Sequence, residues 1–302
     1  MAVPKGRSQP VMATGKSAGV ARISNDYALN FVSIKNISLE GLMRISHYMK
    51  NLAFALALTL FAMPAMAKDT PVSISVLAND AKFIGTSMGS TEIIIRDAGS
   101  HEILAKGLTK GSTGDTSLIM KENIARHEVL RTRGSARFDA TLDLAKPKKV
   151  IIEARGPLAQ PQSIQTVREE RILIPGKNYA DRNAIVLTMH GMSVDILSPA
   201  AHLKRDFDPD GSFTLEVNAM KMCGCPLRAK GPWNAENYEV EAHIYKDGDE
   251  FIKTIALDHS GDDSRFTADV SMAEKGTYEI IVTAHDPRTK DSGMDATTIV
   301  LQ

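Results

Sequence analysis

The sequence predicts an all-β protein of two tandem β-sandwiches. Three observations lead there. From Lys68 onward, short segments of alternating apolar and polar residues recur about every 8–12 residues, with turn residues between them. Almost nothing in that stretch repeats with the roughly 3.6-residue apolar period of a surface helix. A polar stretch, Lys177 to Asn183, follows Pro175-Gly176 and divides the strand-rich chain into residues 68–176 and 184–302.

In the first part, Val72 to Val76 alternates as a half-buried strand should. Glu92 to Arg96 is the next strand; Asp97-Ala98-Gly99-Ser100 reads as its turn, and His101 to Ala105 returns. Asp115 to Ile124 fits either strand or loop. Ala136 to Leu144 alternates again, Lys149 to Arg155 is β-rich, and Arg171 to Pro175 is a last short strand. The second part opens with Ala184 to Met189, then Ser193 to Leu197, ended by Ser198-Pro199, and Ser212 to Met220. Tyr238 to Lys246 is a clean period-two strand, and Asp247-Gly248 is the hairpin signal before Glu250 to Leu257. Ser264 to Val270, Thr277 to Ala284 and Thr297 to Leu301 complete the set.

The N-terminal region reads as a targeting segment. Met49 to Ala67 has one basic residue, Lys50, an apolar run from Leu52 to Met63, a helix-breaking Pro64 and then Ala65-Met66-Ala67. That is the charged, apolar and small-residue order of a secretory signal peptide. The run is shorter than the roughly 20 apolar residues that span a bilayer. Residues 1–48 are polar and aperiodic and are read as a mis-assigned leader, with Met49 as the expected start and Met43 as the alternative. A mature chain beginning near Lys68 is therefore expected in the periplasm or outside the cell.

Charge and cysteine usage narrow the function. Removing 67 residues from 302 leaves 235, and with the leader's seven basic and two acidic residues gone, 29 basic and 34 acidic ones remain. A mildly acidic chain has no electrostatic footprint for nucleic acid, so none is expected as a partner. No later run is long and apolar enough for a membrane span. Cys223 and Cys225 are the only cysteines, too few for a disulfide framework, so each sandwich must rely on its apolar core.

The stretch that could carry chemistry is Met220-Lys221-Met222-Cys223-Gly224-Cys225-Pro226. Residues i and i+2 of a strand share a face, so the two cysteines could point together. Three readings stay open. Thiolate and thioether sulfur select a soft ion such as Cu(I), with Cys223, Cys225, Met220 and Met222 as ligands. Met220 and Met222 share the opposite face of an ideal strand, so all four converge only if the strand bulges or ends there. His190, in Met189-His190-Gly191-Met192, is a further ligand candidate, and His243 a weaker one. Alternatively, Cys223 and Cys225 form a tight disulfide suited to thiol exchange. In the third reading, they are small packing residues in a turn. Trp233, the only tryptophan, either covers the pair or plugs a core.

Other constellations fall short. Gly107 to Asp115 has the glycines of a phosphate loop but lacks its Gly-Lys-Ser/Thr ending. Asp206 to Gly211 is acidic and turn-like but lacks the later Glu of a helix-loop-helix calcium site. No Gly-x-Ser-x-Gly or His-Glu-x-x-His motif occurs. No enzymatic activity is expected.

Met222-Cys223-Gly224-Cys225-Pro226, with Trp233-Asn234-Ala235 and Tyr238-Glu239-Val240, resembles a group of exported bacterial proteins to which no activity is assigned. Gly85-Thr86-Ser87-Met88-Gly89 and Gly156 to Ser163 carry the same resemblance, which brings no catalytic residue with it. Gly276-Thr277-Tyr278-Glu279 resembles the strand entry of immunoglobulin-like domains, and the first part is similar to carboxypeptidase-regulatory-like sandwiches, a fold analogy without chemistry. The expectation is a periplasmic protein of two immunoglobulin-like sandwiches that binds or carries copper. The competing expectations are an interaction module with an envelope protein partner and a thiol–disulfide carrier.

Overall fold

The computed structural model describes Met49 and residues 66–302 apart from Glu122, Asn183 and Ala184, and among these described residues sixteen strands make up nearly all of the regular structure. The leader and signal-peptide expectations lie outside the described residues, save for Met49, Met66 and Ala67. Among the described residues no helix is long and apolar enough to cross a membrane.

Residues 68–189 contribute two sheets. β1 (Lys68–Ala78) pairs antiparallel with β4 (Phe138–Leu144) and parallel with β7 (Ile185–Met189). The facing sheet runs β3 (Ile103–Leu108), β2 (Glu92–Asp97), β5 (Lys148–Gly156) and β6 (Gln165–Leu173). Alternation is what builds it: along β5, Val150, Ile152 and Ala154 are buried while the residues between them are not. Asp115 to Ile124 proves to be neither strand nor plain loop. Asp115 caps a single helical turn, Thr116–Ile119, by accepting the backbone N–H groups of Ser117 and Leu118.

Residues 192–302 form two more sheets. One orders β13 (Asp258–His259), β14 (Arg265–Ser271), β10 (Ser212–Lys221) and β8 (Met192–Ser198). The other orders β12 (Glu250–Ala256), β11 (Glu239–Lys246), β15 (Gly276–His285), β16 (Ser292–Leu301) and β9 (Leu203–Arg205). Read across the sheet from β8, the first sheet takes the places of immunoglobulin strands A, B, E and D, and β11, β15 and β16 of the second take those of C, F and G. Tyr278, at the entry to β15, donates its hydroxyl to the Glu274 carbonyl at 2.9 Å. This is the corner that fixes the turn into strand F in such sandwiches. The period-two pattern and the Gly-Thr-Tyr-Glu entry thus lead to a β-sandwich of immunoglobulin type. The short β9 and β13 carried no sequence signal, because two or three residues cannot show a period.

Both halves share one contiguous buried core, running from Val72 in β1 to Leu301 in β16. The described residues from 66 to 302 accordingly form one compact unit.

Candidate functional site

The site is built at the end of β10. Gly224 turns the chain with φ of 76°, a left-handed conformation that glycine adopts without strain. Its N–H donates to the Lys221 carbonyl at 2.8 Å, and the Lys221 N–H donates to the Cys225 carbonyl at 3.2 Å. The strand ends at this turn, which folds Cys223 back toward Cys225. Their sulfurs are joined as a disulfide, with Cα atoms 5.4 Å apart. The two cysteines meet through a turn just past the end of β10, where Gly224-Cys225-Pro226 stops the strand, and not along one strand face.

The disulfide forms part of the wall of a cleft of about 280 Å³. Trp233 and Pro226 line it from the same sandwich, while Lys82, Ser87 and Thr116 come from the other. Trp233 is buried and donates its indole N–H to the Asp80 carbonyl at 2.8 Å. It lies beside the cysteine pair and in the buried core, and its bond to Asp80 also ties the two sandwiches together, which the sequence did not suggest.

Gly85 to Gly89 and Gly156 to Ser163 meet this turn. A Cβ placed on Gly224 would lie 2.6 Å from the Met88 sulfur, so Met88 occupies the space that a larger residue at 224 would need. The Met88 carbonyl accepts the Ala159 N–H at 3.1 Å, within the Gly156 to Ser163 segment. Gln162 then donates to the Val194 carbonyl at 2.9 Å, and the Ser163 hydroxyl accepts the Val194 N–H at 3.2 Å. Val194 sits in β8, beside β10.

The remaining candidate ligands are placed differently. Met222 is fully buried, its sulfur 3.8 Å from where a Cβ on Gly191 would stand, and Met220 is half-buried at the end of β10. His190 holds the Asp291 carboxylate through Nδ1 at 3.1 Å. His243 bridges Thr254 and Thr283 at 3.1 Å each, as a cross-strand link. Among the described residues no three His, Cys, Asp or Glu side chains gather closely enough to hold a metal ion. Gly107 to Asp115 simply leads into the capped helical turn, and Asp208 accepts the N–H groups of its own turn, Asp210 and Gly211.

A buried ionic cluster adjoins the turn, and the sequence reading passed over it. The Lys221 side chain is fully buried, with Nζ 3.5 Å from Asp286 and 3.8 Å from Asp291. Arg288 pairs with Asp286 at 3.0 Å and donates to the Tyr238 hydroxyl at 3.1 Å. Asp291 also accepts from Asn79 of the first sandwich at 3.0 Å and from the Gly191 N–H at 3.1 Å. Burial works against ionisation of Asp286, but the Arg288 hydrogen bonds and the nearby Lys221 and Arg288 charges hold its carboxyl below the usual range. Burial, with the Asp286 charge, pushes the Tyr238 phenol well above its ordinary value. A signal for this cluster did exist. Leu215, Val217 and Ala219 are the inward positions of β10, and Lys221 is the next in phase. Tyr278, Ile280, Val282 and Ala284 are those of β15, and Asp286 follows them.

With the geometry described, known proteins can be compared. No family model matches, and no curated protein matches. Solved structures give only distant likenesses. The fibronectin(III)-like modules of Clostridium thermocellum CbhA are 12% identical, with 80% of this chain and 92% of that one covered and a TM-score of 0.26. The chicken interferon gamma receptor alpha chain is 10% identical, with 76% and 97% covered and a TM-score of 0.28. An engineered protein is 17% identical, with 40% of this chain and 22% of that one covered and a TM-score of 0.27. Likenesses this weak add nothing to the fold assignment, which stands on strand order and the tyrosine corner, and they say nothing about chemistry.

Proposed function

We propose that the protein is a soft-metal carrier of the periplasm, binding copper as Cu(I) at Cys223 and Cys225 when they are reduced, with the disulfide as the metal-free form. The observation that supports this is the convergence of both sulfurs on one point in the wall of an open cleft. Thiolate sulfur is polarizable and selects a soft ion. Each thiol loses a proton as metal binds, so affinity falls as pH falls. No hydrolytic or transfer chemistry is part of the reading. The proposal also places the chain with the exported proteins that share Met-Cys-Gly-Cys-Pro; the meeting of three of the shared segments, Met222 to Pro226, Gly85 to Gly89 and Gly156 to Ser163, at one seam supports that grouping.

The test is native mass spectrometry of the chain from Lys68 onward, oxidised and reduced, with Cu(I) added. The reduced protein is expected to gain the mass of one copper, and the oxidised protein and the Cys223→Ser/Cys225→Ser variant none. Copper retained by the double variant would overturn the assignment.

A second reading is favoured by the closed disulfide itself. A pair two residues apart, in contact with a cleft, suits a thiol–disulfide carrier. Its mark is a reduction potential well above that of structural disulfides, read by equilibration with glutathione buffers.

A further inference from the structure

We propose that Met88, from the first sandwich, is the third sulfur ligand of the copper site, so that the metal is held across the seam. This rests on the copper reading above. Two thiolates alone hold Cu(I) two-coordinate, and a third, neutral donor makes the site trigonal; among the described residues no cluster of three His, Cys, Asp or Glu supplies one. A neutral thioether is the soft donor that remains.

Met88 is placed to be it. Gly224 separates the two cysteines, and its Cβ position lies 2.6 Å from Met88 Sδ and 3.0 Å from Met88 Cγ. The thioether therefore packs directly on the residue between Cys223 and Cys225. Any side chain at 224 would displace it. The backbone presenting Met88 is fixed on both sides: its N–H donates to Gly85 at 3.1 Å and its carbonyl accepts from Ala159 at 3.1 Å. Its neighbour Ser87 lines the same cleft as the cysteines. The fully buried Met222 packs beside Gly191, its sulfur 3.8 Å from that residue's Cβ position.

Loading follows a balanced sequence. A dithiol reductant gives two electrons and two protons to the Cys223–Cys225 disulfide and is itself closed to a disulfide. Cu(I) then displaces both protons and keeps its oxidation state. The Met88 thioether adds no charge and releases no proton, so it does not change the proton count. In this arrangement the metal bonds to both sandwiches, and copper loading is coupled to the seam between them.

The experiment compares reduced wild type, Met88→Leu and Cys223→Ser/Cys225→Ser. Cu(I) affinity is read by competition with a chromogenic chelator, and the sulfur count by X-ray absorption at the copper edge. Leucine keeps an apolar side chain of similar volume over Gly224, and a urea midpoint checks that the variant is folded. Three sulfur neighbours are expected in wild type and two in Met88→Leu. Affinity should fall in that variant by about tenfold or more, since even outer-shell changes at metal sites cost about 10–100-fold. An unchanged sulfur count and affinity in Met88→Leu, with copper lost in the double cysteine variant, would overturn the Met88 assignment alone. Copper held by the double cysteine variant, or none taken up by reduced wild type, would overturn the copper reading and Met88 with it.

Discussion

Lys221 shows how a single side chain can be set by register. The alternation of β10 turns it inward, where its ammonium is fully buried beside Asp286 and Asp291. Removing charges from water costs several kcal/mol per ion, and mutual attraction roughly repays it when the geometry is good. The cluster is therefore a poor source of net stability, yet breaking it is expensive. Lys221→Met is expected to lower unfolding free energy by about 3 kcal/mol, the low end for a broken buried pair because Asp286 keeps Arg288. Adding Asp286→Leu to that variant should not deepen the loss by a comparable amount. Urea denaturation of the two variants measures this, and a Lys221→Met protein as stable as wild type would show that Asp286 and Asp291 do not depend on the lysine charge.

At the scale of elements, the entry to β15 joins a local signal to a long-range one. Gly276 takes a φ of 151°, and Tyr278 then reaches back to the Glu274 carbonyl while its ring is buried. Tyr278→Phe keeps the ring and loses one hydrogen bond, leaving the carbonyl without that donor. The expected cost is about 1 kcal/mol, read as a shift in urea midpoint with the slope unchanged. A much larger loss would mean that the hydroxyl organises more than the corner. The Cys223 to Cys225 turn is an element of the same kind: β10 could be read from alternation, but the direction of the chain beyond it depends on Gly224 and on what packs there.

For the whole molecule, the contiguous core, the Trp233–Asp80 bond and the Asn79–Asp291 bond join the sandwiches into one body. Trp233 is the only tryptophan and stands at that seam. Its fluorescence reports seam opening, while far-UV circular dichroism reports loss of strands. The two urea curves are expected to coincide as one cooperative transition. A fluorescence change at lower urea would show the seam parting before either sandwich melts.

The sequence by itself determined the all-β class, most strands and the inward face of each, because period-two alternation is a local pattern that water enforces on every half-buried strand. It also marked Met220 to Pro226 as unusual, while Gly85 to Gly89 and Gly156 to Ser163 stood out only through a resemblance. Only the tertiary structure decided that these segments meet, that β7 closes against β1 in parallel, and that Met88 lies on Gly224. Pairings so distant along the chain leave no periodic trace. They are fixed by which buried surfaces and backbone groups find complements once both sandwiches have formed, and the cysteine pair takes its surroundings from that encounter.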